Sequence, residues 1–180
     1  VLQLSGTDTA GNVGIDSFIL NWDTTAPVIE GLVDIAINQS VTLIPTVTGG
    51  NTFLWSQVSG PGITSFSSDS TATTDVSMDV DGVYQLNLMV SDNAGNQADA
   101  TITVTWDTLA PTVNVGADES HLGQFTKTAT VVGGTSTVWT QLDGPGTITF
   151  GSPANSSTTI VASSDGTYTI QLSAADDAGN

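Results

Sequence analysis

The stretch Asp92–Pro111, D-N-A-G-N-Q-A-D-A-T-I-T-V-T-W-D-T-L-A-P, decides the fold of this chain. It joins a tight turn, a strand of alternating apolar residues, a tryptophan and an exit marked by proline. The same pattern runs from Asp8 to Pro27, and its opening, D-D-A-G-N, returns at Asp176. A pattern that returns at a fixed spacing is typical of an array of similar modules.

The repeat spans 84 residues, because Trp22 returns as Trp106 (106 − 22) and Gly11 as Gly95 (95 − 11). We therefore expect three parts. Residues 1–23 are the last two strands of a preceding repeat, residues 24–107 are a complete domain, and residues 108–180 are a domain that lacks its last strand. Since Val1 falls inside an apparent strand, we expect the chain to be an excerpt of a longer polypeptide.

Each repeat has the alternation of β-strands. Apolar residues at 98, 100, 102, 104 and 106 alternate with polar ones, so we expect one face of this strand to be buried and the other to be exposed to solvent. Residues 84–90 alternate in the same way, residues 52–57 form a third strand and residues 41–48 a fourth. The sequence predicts an all-β fold of tandem immunoglobulin-like (Ig-like) sandwiches, with about seven strands in each repeat.

Three side chains refine this prediction. Tyr84 follows Asp81-Gly82 as in a tyrosine corner, where the phenol bonds back to the main chain. Trp55 stands where an Ig-like domain places its core tryptophan. Lys127 aligns with Leu43 on the predicted inward face, so either its amine reaches solvent at the end of the sandwich or the predicted register is wrong.

Composition excludes several classes of function. The chain has 18 acids against one Lys or Arg, for a net charge of −17. Such a chain repels nucleic acid and anionic membranes, and its aspartate-rich loops suit calcium. It has no cysteine, which excludes disulfides and thiolate metal sites. No apolar run reaches the roughly 18 residues of a membrane helix, so no membrane insertion is expected.

The turn D-x-A-G-N followed by W-D-T-x-A-P resembles the bacterial Ig-like repeats of giant secreted surface adhesins. The middle of the repeat, W-S-Q-V-S-G-P-G and D-G-V-Y-Q-L-N-L-M-V-S-D, is similar to PKD-type Ig-like modules. The resemblance covers the whole chain. It implies an extracellular location at the cell surface and calcium bound where one domain meets the next.

The candidate ligands of that calcium are the aspartates that recur in the repeat. The junction set is Asp23, Asp107, Asp34, Asp118, Asp81 and Asp165, and the turn set is Asp8, Asp92, Asp176 and Asn96. Asp92 and Asp107 cannot share one ion, because they lie at opposite ends of the last strand. A strand rises about 3.3 Å per residue, so its two ends are far apart. The alternative is that the turn needs its aspartate only to cap the main chain and its glycine for the positive φ.

The sequence gives little support for an enzymatic function. His121 is the only histidine, its counterpart in the other repeat is Ile37, and a catalytic histidine needs a positioned partner. No nucleophile motif or phosphate-binding glycine loop is present. The sequence predicts a protein that is not an enzyme.

The favoured hypothesis is a structural repeat segment of an extracellular adhesin or surface fibre that works as an extended, semi-rigid spacer. Pro27 and Pro111 restrict its linkers. Its expected partners are neighbouring repeats or copies of itself, and the sequence names no host receptor or glycan. One alternative is a self-assembling surface filament whose chains donate strands to one another. Another is a non-catalytic carbohydrate-binding or spacer module of a secreted hydrolase.

Overall fold

The computed structural model describes residues 2–180; Val1 and the prediction made on it lie outside the described residues. The chain begins with a hairpin of two antiparallel strands, β1 (Leu2–Thr7) and β2 (Val13–Phe18). Every residue of both strands is exposed. The hairpin therefore has the strands of a sandwich without the second layer that would cover them.

Residues 24–107 fold into a sandwich of short strands. These are β3 (Val28–Glu30), β4 (Ile35–Ile37), β5 (Val41–Leu43), β6 (Thr46–Thr48), β7 (Thr52–Ser59), β8 (Thr64–Phe66), β9 (Thr74–Met78), β10 (Gly82–Ser91) and β11 (Gln97–Trp106). One layer has the order β4-β11-β10-β7, with β4 parallel to β11. The order β5-β9-β8 forms another sheet, and β3 pairs with β6.

The core of this sandwich comes from the alternation in β10 and β11. Tyr84, Leu86, Leu88 and Val90 are fully buried, and each faces inward because side chains alternate along a strand. Trp55 is 2% exposed, and its ring stacks on that of Phe66. The predicted all-β, Ig-like sandwich is confirmed.

The predicted tyrosine corner forms at Tyr84, and an equivalent corner forms at Tyr168. The Tyr84 hydroxyl donates to the carbonyl of Val80 over 2.7 Å, and the Tyr168 hydroxyl donates to the carbonyl of Ser164 over 2.8 Å. Each bond spans the turn before the tyrosine; Tyr84 lies in β10, and Tyr168 directly precedes β18. The corner therefore fixes how the chain enters that strand in each repeat.

The prediction of one strand over residues 41–48 is wrong. The chain leaves β5, which pairs with β9, and enters β6, which pairs with β3 in a different sheet. Pro45 lies buried between the two strands. Proline has no N–H to donate to a ladder, so the strand breaks there and the chain changes sheets.

Residues 108–180 repeat this architecture with fewer paired strands. They form β12 (Thr112–Asn114), β13 (Phe125–Thr128), β14 (Thr130–Val132), β15 (Ser136–Asp143), β16 (Ile148–Phe150), β17 (Ser157–Ala162) and β18 (Thr169–Ala175). The sheets are β13-β17-β16, β15-β18 and β12-β14. Trp139 stacks on Phe150 at 6.3 Å between ring centroids, the same distance as between Trp55 and Phe66.

Lys127 occupies the register that the repeat gives it. It lies opposite Thr158 in the pair β13–β17, just as Leu43 lies opposite Thr74 in the pair β5–β9. Its amine donates to a Glu119 carboxylate oxygen over 2.7 Å and to the carbonyl of Ala117 over 3.2 Å. The predicted register is therefore correct, and the side chain turns toward a loop that supplies its acceptors.

Candidate functional site at the joint between repeats

The D-x-A-G-N turn is held by its own aspartate. One Asp92 carboxylate oxygen accepts the main-chain N–H groups of Ala94 at 2.8 Å and Asn96 at 2.9 Å. The other accepts the Asn96 side-chain amide at 2.8 Å. Gly95 has φ of 92°, a conformation that glycine adopts without strain. The turns that open at Asp8 and Asp176 have the same carboxylate–amide bond.

These bonds lower the pKa of the turn aspartate. The side-chain amide of Asn96 is the largest cause for Asp92, and N–H groups of the turn add to it. The Asn12 amide does the same for Asp8, and the Asn180 amide for Asp176. A carboxylate that accepts several donors favours its charged form, so the turn is built around an ionised aspartate.

The turns that open at Asp92 and Asp176 also reach the linker that precedes their own repeat. The Asn96 amide donates to the carbonyl of Asp23 over 3.2 Å, and the Asn180 amide donates to the carbonyl of Asp107 over 2.8 Å. The turn joins the last two strands at the end of the sandwich where the chain arrives. The asparagine therefore ties the turn to the incoming linker.

The linker at Asp107 is bonded to the repeat on each side of it. Its N–H donates to the carbonyl of Ile37 over 3.0 Å, in the repeat that ends there. The carbonyl oxygen of Asn180's side chain accepts the Asn38 amide at 3.0 Å. Asn180 thus contacts both the linker and a loop of the preceding repeat, and it brings the two sandwiches together.

Asp81 holds the next residue of the linker. Its carboxylate accepts the Thr108 main-chain N–H at 3.2 Å and the Thr108 hydroxyl at 3.0 Å. Asp81 lies in the corner turn before β10, at the same end of the sandwich as the exit from β11. The Asp107 carboxylate, in turn, accepts the N–H of Leu109 at 3.0 Å. Together these contacts restrain the main chain over residues 107–109.

The linker prolines rest on a pair of glycines. Pro27 is buried, and a Cβ added at Gly50 would lie 3.3 Å from the Pro27 Cβ and 2.1 Å from a methyl of Val90. Pro111 has the same position against Gly134, whose added Cβ would lie 3.4 Å from the Pro111 Cβ. The Gly-Gly turn lets the linker approach the sandwich closely.

The remaining candidate acids lie apart from one another. Asp34 caps the edge of β11 by accepting the Thr103 N–H at 2.8 Å, and Asp23 accepts the N–H of Thr25 at 2.9 Å. Asp118 and Asp165 lie in loops of residues 108–180. Within residues 2–180, no three His, Cys, Asp or Glu side chains gather where they could hold a metal. Calcium takes six to eight oxygen ligands, which include main-chain carbonyls and water as well as carboxylates, so calcium at these aspartates stays a prediction from the sequence.

Sequence reasoning missed the contact between the turn and the linker. It grouped Asp107 with Asp81 and Asp118 in the junction set and did not connect Asp107 with Asn180. The signal was present, because Asn96 follows Asp23 by 73 residues and Asn180 follows Asp107 by 73 residues. In an antiparallel sandwich the final turn lies at the end where the chain enters, so the two segments had to meet.

His121 lies away from the joint contacts, in a loop of the last repeat. Its ring stacks on Phe125 at 3.6 Å between centroids, and its Nε2 lies 2.8 Å from Glu119. Lys127 and then His121 lower the pKa of Glu119. These contacts restrain the loop between β12 and β13.

An open depression of 530 Å³ lies near β15. Main-chain, hydroxyl, amide and aliphatic groups line it, and no titratable side chain is among them.

Two family models match the chain. Residues 33–105 match the model described as K319L-like, PKD domain, and residues 125–180 match the model described as bacterial Ig-like domain. Each match lies within one of the two sandwiches. The two sandwiches are therefore similar to a PKD domain and to a bacterial Ig-like domain, and the resemblance that the sequence indicated is confirmed at that level.

The other comparisons add little. No curated protein matches the chain. Among solved structures, a chain described as protocadherin gamma B2 extracellular cadherin domains 3–6 is 16% identical with a TM-score of 0.33. That match covers 83% of the present chain, which spans only 43% of the other chain's length.

In the described part of the chain, no helix has the length and apolarity needed to cross a membrane.

Proposed function

We propose that this tandem of PKD-like and bacterial Ig-like repeats works as an extended, semi-rigid spacer in an extracellular adhesin or surface fibre. The single observation that carries the proposal is the side chain of Asn180. It bonds the linker at Asp107 and the loop at Asn38 of the preceding repeat. A spacer transmits orientation only where its joints resist rotation, and this residue restrains the joint from two directions.

The energy of the joint comes from several modest bonds. Each hydrogen bond between neutral groups contributes about 0.5–1.5 kcal/mol net, and the exposed ones lie at the lower end of that range. Bonds from Ile37, Asp81 and Asn180 converge on residues 107 and 108. Because they restrain consecutive residues of one linker, rotation about the joint must break several of them together.

Charge supports the extended form. The chain has a net charge of −17 with one Lys or Arg, so its repeats repel one another along the array. Salt screens this repulsion beyond about 8 Å at physiological ionic strength. Repulsion therefore acts mainly near the joints, where it opposes folding of one repeat back on the next.

The extracellular location and the adhesin role rest on the resemblance to surface repeats. Calcium at the junctions stays a prediction from the sequence, and the proposed spacer does not require it, since hydrogen bonds hold the linker. A saturable, calcium-dependent rise in the melting temperature that is lost in Asp81→Asn would support a metal at the joint.

Distance measurements between the two repeats test the proposal. The chain has no cysteine, so Ser56→Cys and Thr140→Cys place spin labels at equivalent exposed positions of the two sandwiches. A stiff joint gives one narrow distance distribution, and small-angle scattering of the unlabelled chain gives an elongated particle. A broad distribution, or a compact globular particle, would overturn the proposal.

A further inference from the structure

The depression beside β15 has the size of a binding site. Residues 134–137, at the start of the strand, form one wall of it. Residues 154–157, where the chain enters β17, form the other wall. Clefts that bind small ligands usually enclose about 300–1,000 Å³, and this one encloses 530 Å³.

A smaller pair of neighbouring side chains accounts for the depression. In the first sandwich Phe53 lies opposite Val90; Phe53 packs against the core, and Val90 is fully buried. Thr137 and Ala174 hold the equivalent positions of the second sandwich (137 − 84 and 174 − 84), and they also lie opposite each other. Because this pair fills less volume, the space that the Phe53 ring occupies in the first sandwich stays open in the second.

The loop that forms the second wall is anchored to the core by Trp139, which is 4% exposed. The Trp139 main-chain N–H donates to the carbonyl of Pro153 over 2.8 Å, and its indole N–H donates to the carbonyl of Asn155 over 2.9 Å. The Thr137 hydroxyl donates to the carbonyl of Ala154 over 2.9 Å. A ligand would therefore meet a preformed surface, and binding would require little ordering of the loop.

The side chains in the depression offer hydrogen-bond donors and acceptors without charge. The bond from Trp139 to Asn155 uses the main-chain carbonyl of Asn155, so the exposed side-chain amide still presents its own acceptor and donors. Hydroxyls of Thr135, Ser136 and Ser156 add groups that can either donate or accept. The lining therefore suits a neutral ligand that also both donates and accepts.

The main chain of β15 adds to this lining. β15 is an outer strand of its sheet, as β7 is in the complete sandwich. The N–H of Trp139 bonds the loop, so it points away from β18. Main-chain groups of residues two apart along a strand point the same way. The N–H and the carbonyl of Thr137 therefore also point away from β18, toward the depression.

We propose that this depression binds one unit of a neutral oligosaccharide. Sugar hydroxyls both donate and accept hydrogen bonds, so they match a lining of hydroxyl, amide and main-chain groups. The net charge of −17 disfavours an anionic ligand, and the lining offers no carboxylate to a metal ion. The inference goes beyond the proposed spacer function, because it concerns the flank of one sandwich rather than the joint between two.

An added peptide strand fits the same edge less well. The loop already takes the N–H of Trp139, and the N–H of Thr135 donates to the carbonyl of Ala175 in β18. Thr137 is thus the single residue of this stretch whose main chain is left for a ladder. A strand needs several consecutive pairs, whereas one sugar unit needs only a few convergent groups.

Amide chemical-shift titration of the nitrogen-15-labelled chain tests the inference. The probes are cellotetraose, chitotetraose, mannotetraose and galactotetraose. At least one of them should produce saturable shifts centred on residues 134–137 and 154–157. Tetragalacturonate, which carries a carboxylate on every ring, should produce none. The absence of saturable shifts there with all four neutral probes, or equal shifts with tetragalacturonate, overturns the inference.

Three variants test whether the depression itself is the site. Thr137→Phe restores the residue of the first sandwich and should abolish the shifts. Thr140→Phe is the matched control, because Thr140 is exposed on the opposite face of the same strand, and it should bind as the wild type does. Asn155→Ala keeps the carbonyl that Trp139 uses and should weaken binding by about two- to tenfold, as the loss of one neutral hydrogen bond does. Binding that persists in Thr137→Phe, or that is lost equally in Thr140→Phe, overturns the inference.

Discussion

Asn180 donates its side-chain amide to the main-chain carbonyl of Asp107 over 2.8 Å, across 73 residues of chain. The same side chain accepts from Asn38 and donates to Asp176. One residue thus links the final turn of a repeat, the linker before that repeat and a loop of the preceding repeat. The stiffness of the joint depends on whether this amide is present.

We therefore expect Asn180→Asp to loosen the joint. The new carboxylate cannot donate to the Asp107 carbonyl, and it repels the ionised Asp176. The distance distribution between labels at positions 56 and 140 should widen. Asn12→Asp is the matched control, because Asn12 closes the same kind of turn in the hairpin and lies outside this joint. Equal distributions in wild type and Asn180→Asp would contradict the prediction.

The two tryptophans Trp55 and Trp22 should differ in their effect on stability. Trp55 is 2% exposed and fills the core, so Trp55→Ala should destabilise residues 24–107 by about 3–5 kcal/mol. Trp22 is 84% exposed, so Trp22→Ala should change stability by less than about 0.5 kcal/mol. Chemical denaturation of the two variants and the wild type measures both changes. Similar losses for the two variants would contradict the assigned burial.

The Asn96 amide should control the titration of Asp92. It lowers the pKa of Asp92 in the folded state, so the stability from this contact is fully present above the unfolded-state pKa. It is lost as the pH falls through the folded pKa. In Asn96→Ala, the pKa of Asp92 measured by carbon-13 carboxyl shifts should rise toward its ordinary value. Asn93→Ala should leave it unchanged, since Asn93 bonds to Asn51 instead.

Gly50→Ala should destabilise the sandwich where the linker proline rests. The new methyl would lie 2.1 Å from the Val90 Cγ1, and Val90 is fully buried and cannot give way. Overpacking of this kind costs about 1–3 kcal/mol. Gly123→Ala is the control, because nothing lies within 4 Å of the added carbon there. Thermal unfolding of both variants should show a loss for Gly50→Ala alone.

Much of the fold could be predicted from the sequence because its signals are local. The alternation over β10 and β11 and the tyrosine corner each follow from residues that are close in sequence. The break at Pro45 was missed, although proline carries a local reason for it.

The candidate site could be predicted only in part. The recurring aspartates do lie at the turns and linkers, but the sequence could not tell a metal ligand from a hydrogen-bond acceptor. Asp81 accepts from Thr108 and Asp34 accepts from Thr103. Both partners are distant in sequence, 27 and 69 residues away. A carboxylate alone does not specify which donor it will meet.

By itself the sequence determined that this protein is an acidic tandem of β-sandwiches with a period of 84 residues, because alternation, turn chemistry and charge are properties of neighbouring residues. Only the tertiary structure decided what the joint is made of. The contact between Asn180 and Asp107 exists because antiparallel strands return the chain to the end where it entered. The two residues meet because the chain follows the path of the whole sandwich between them, and no local sequence pattern encodes that path.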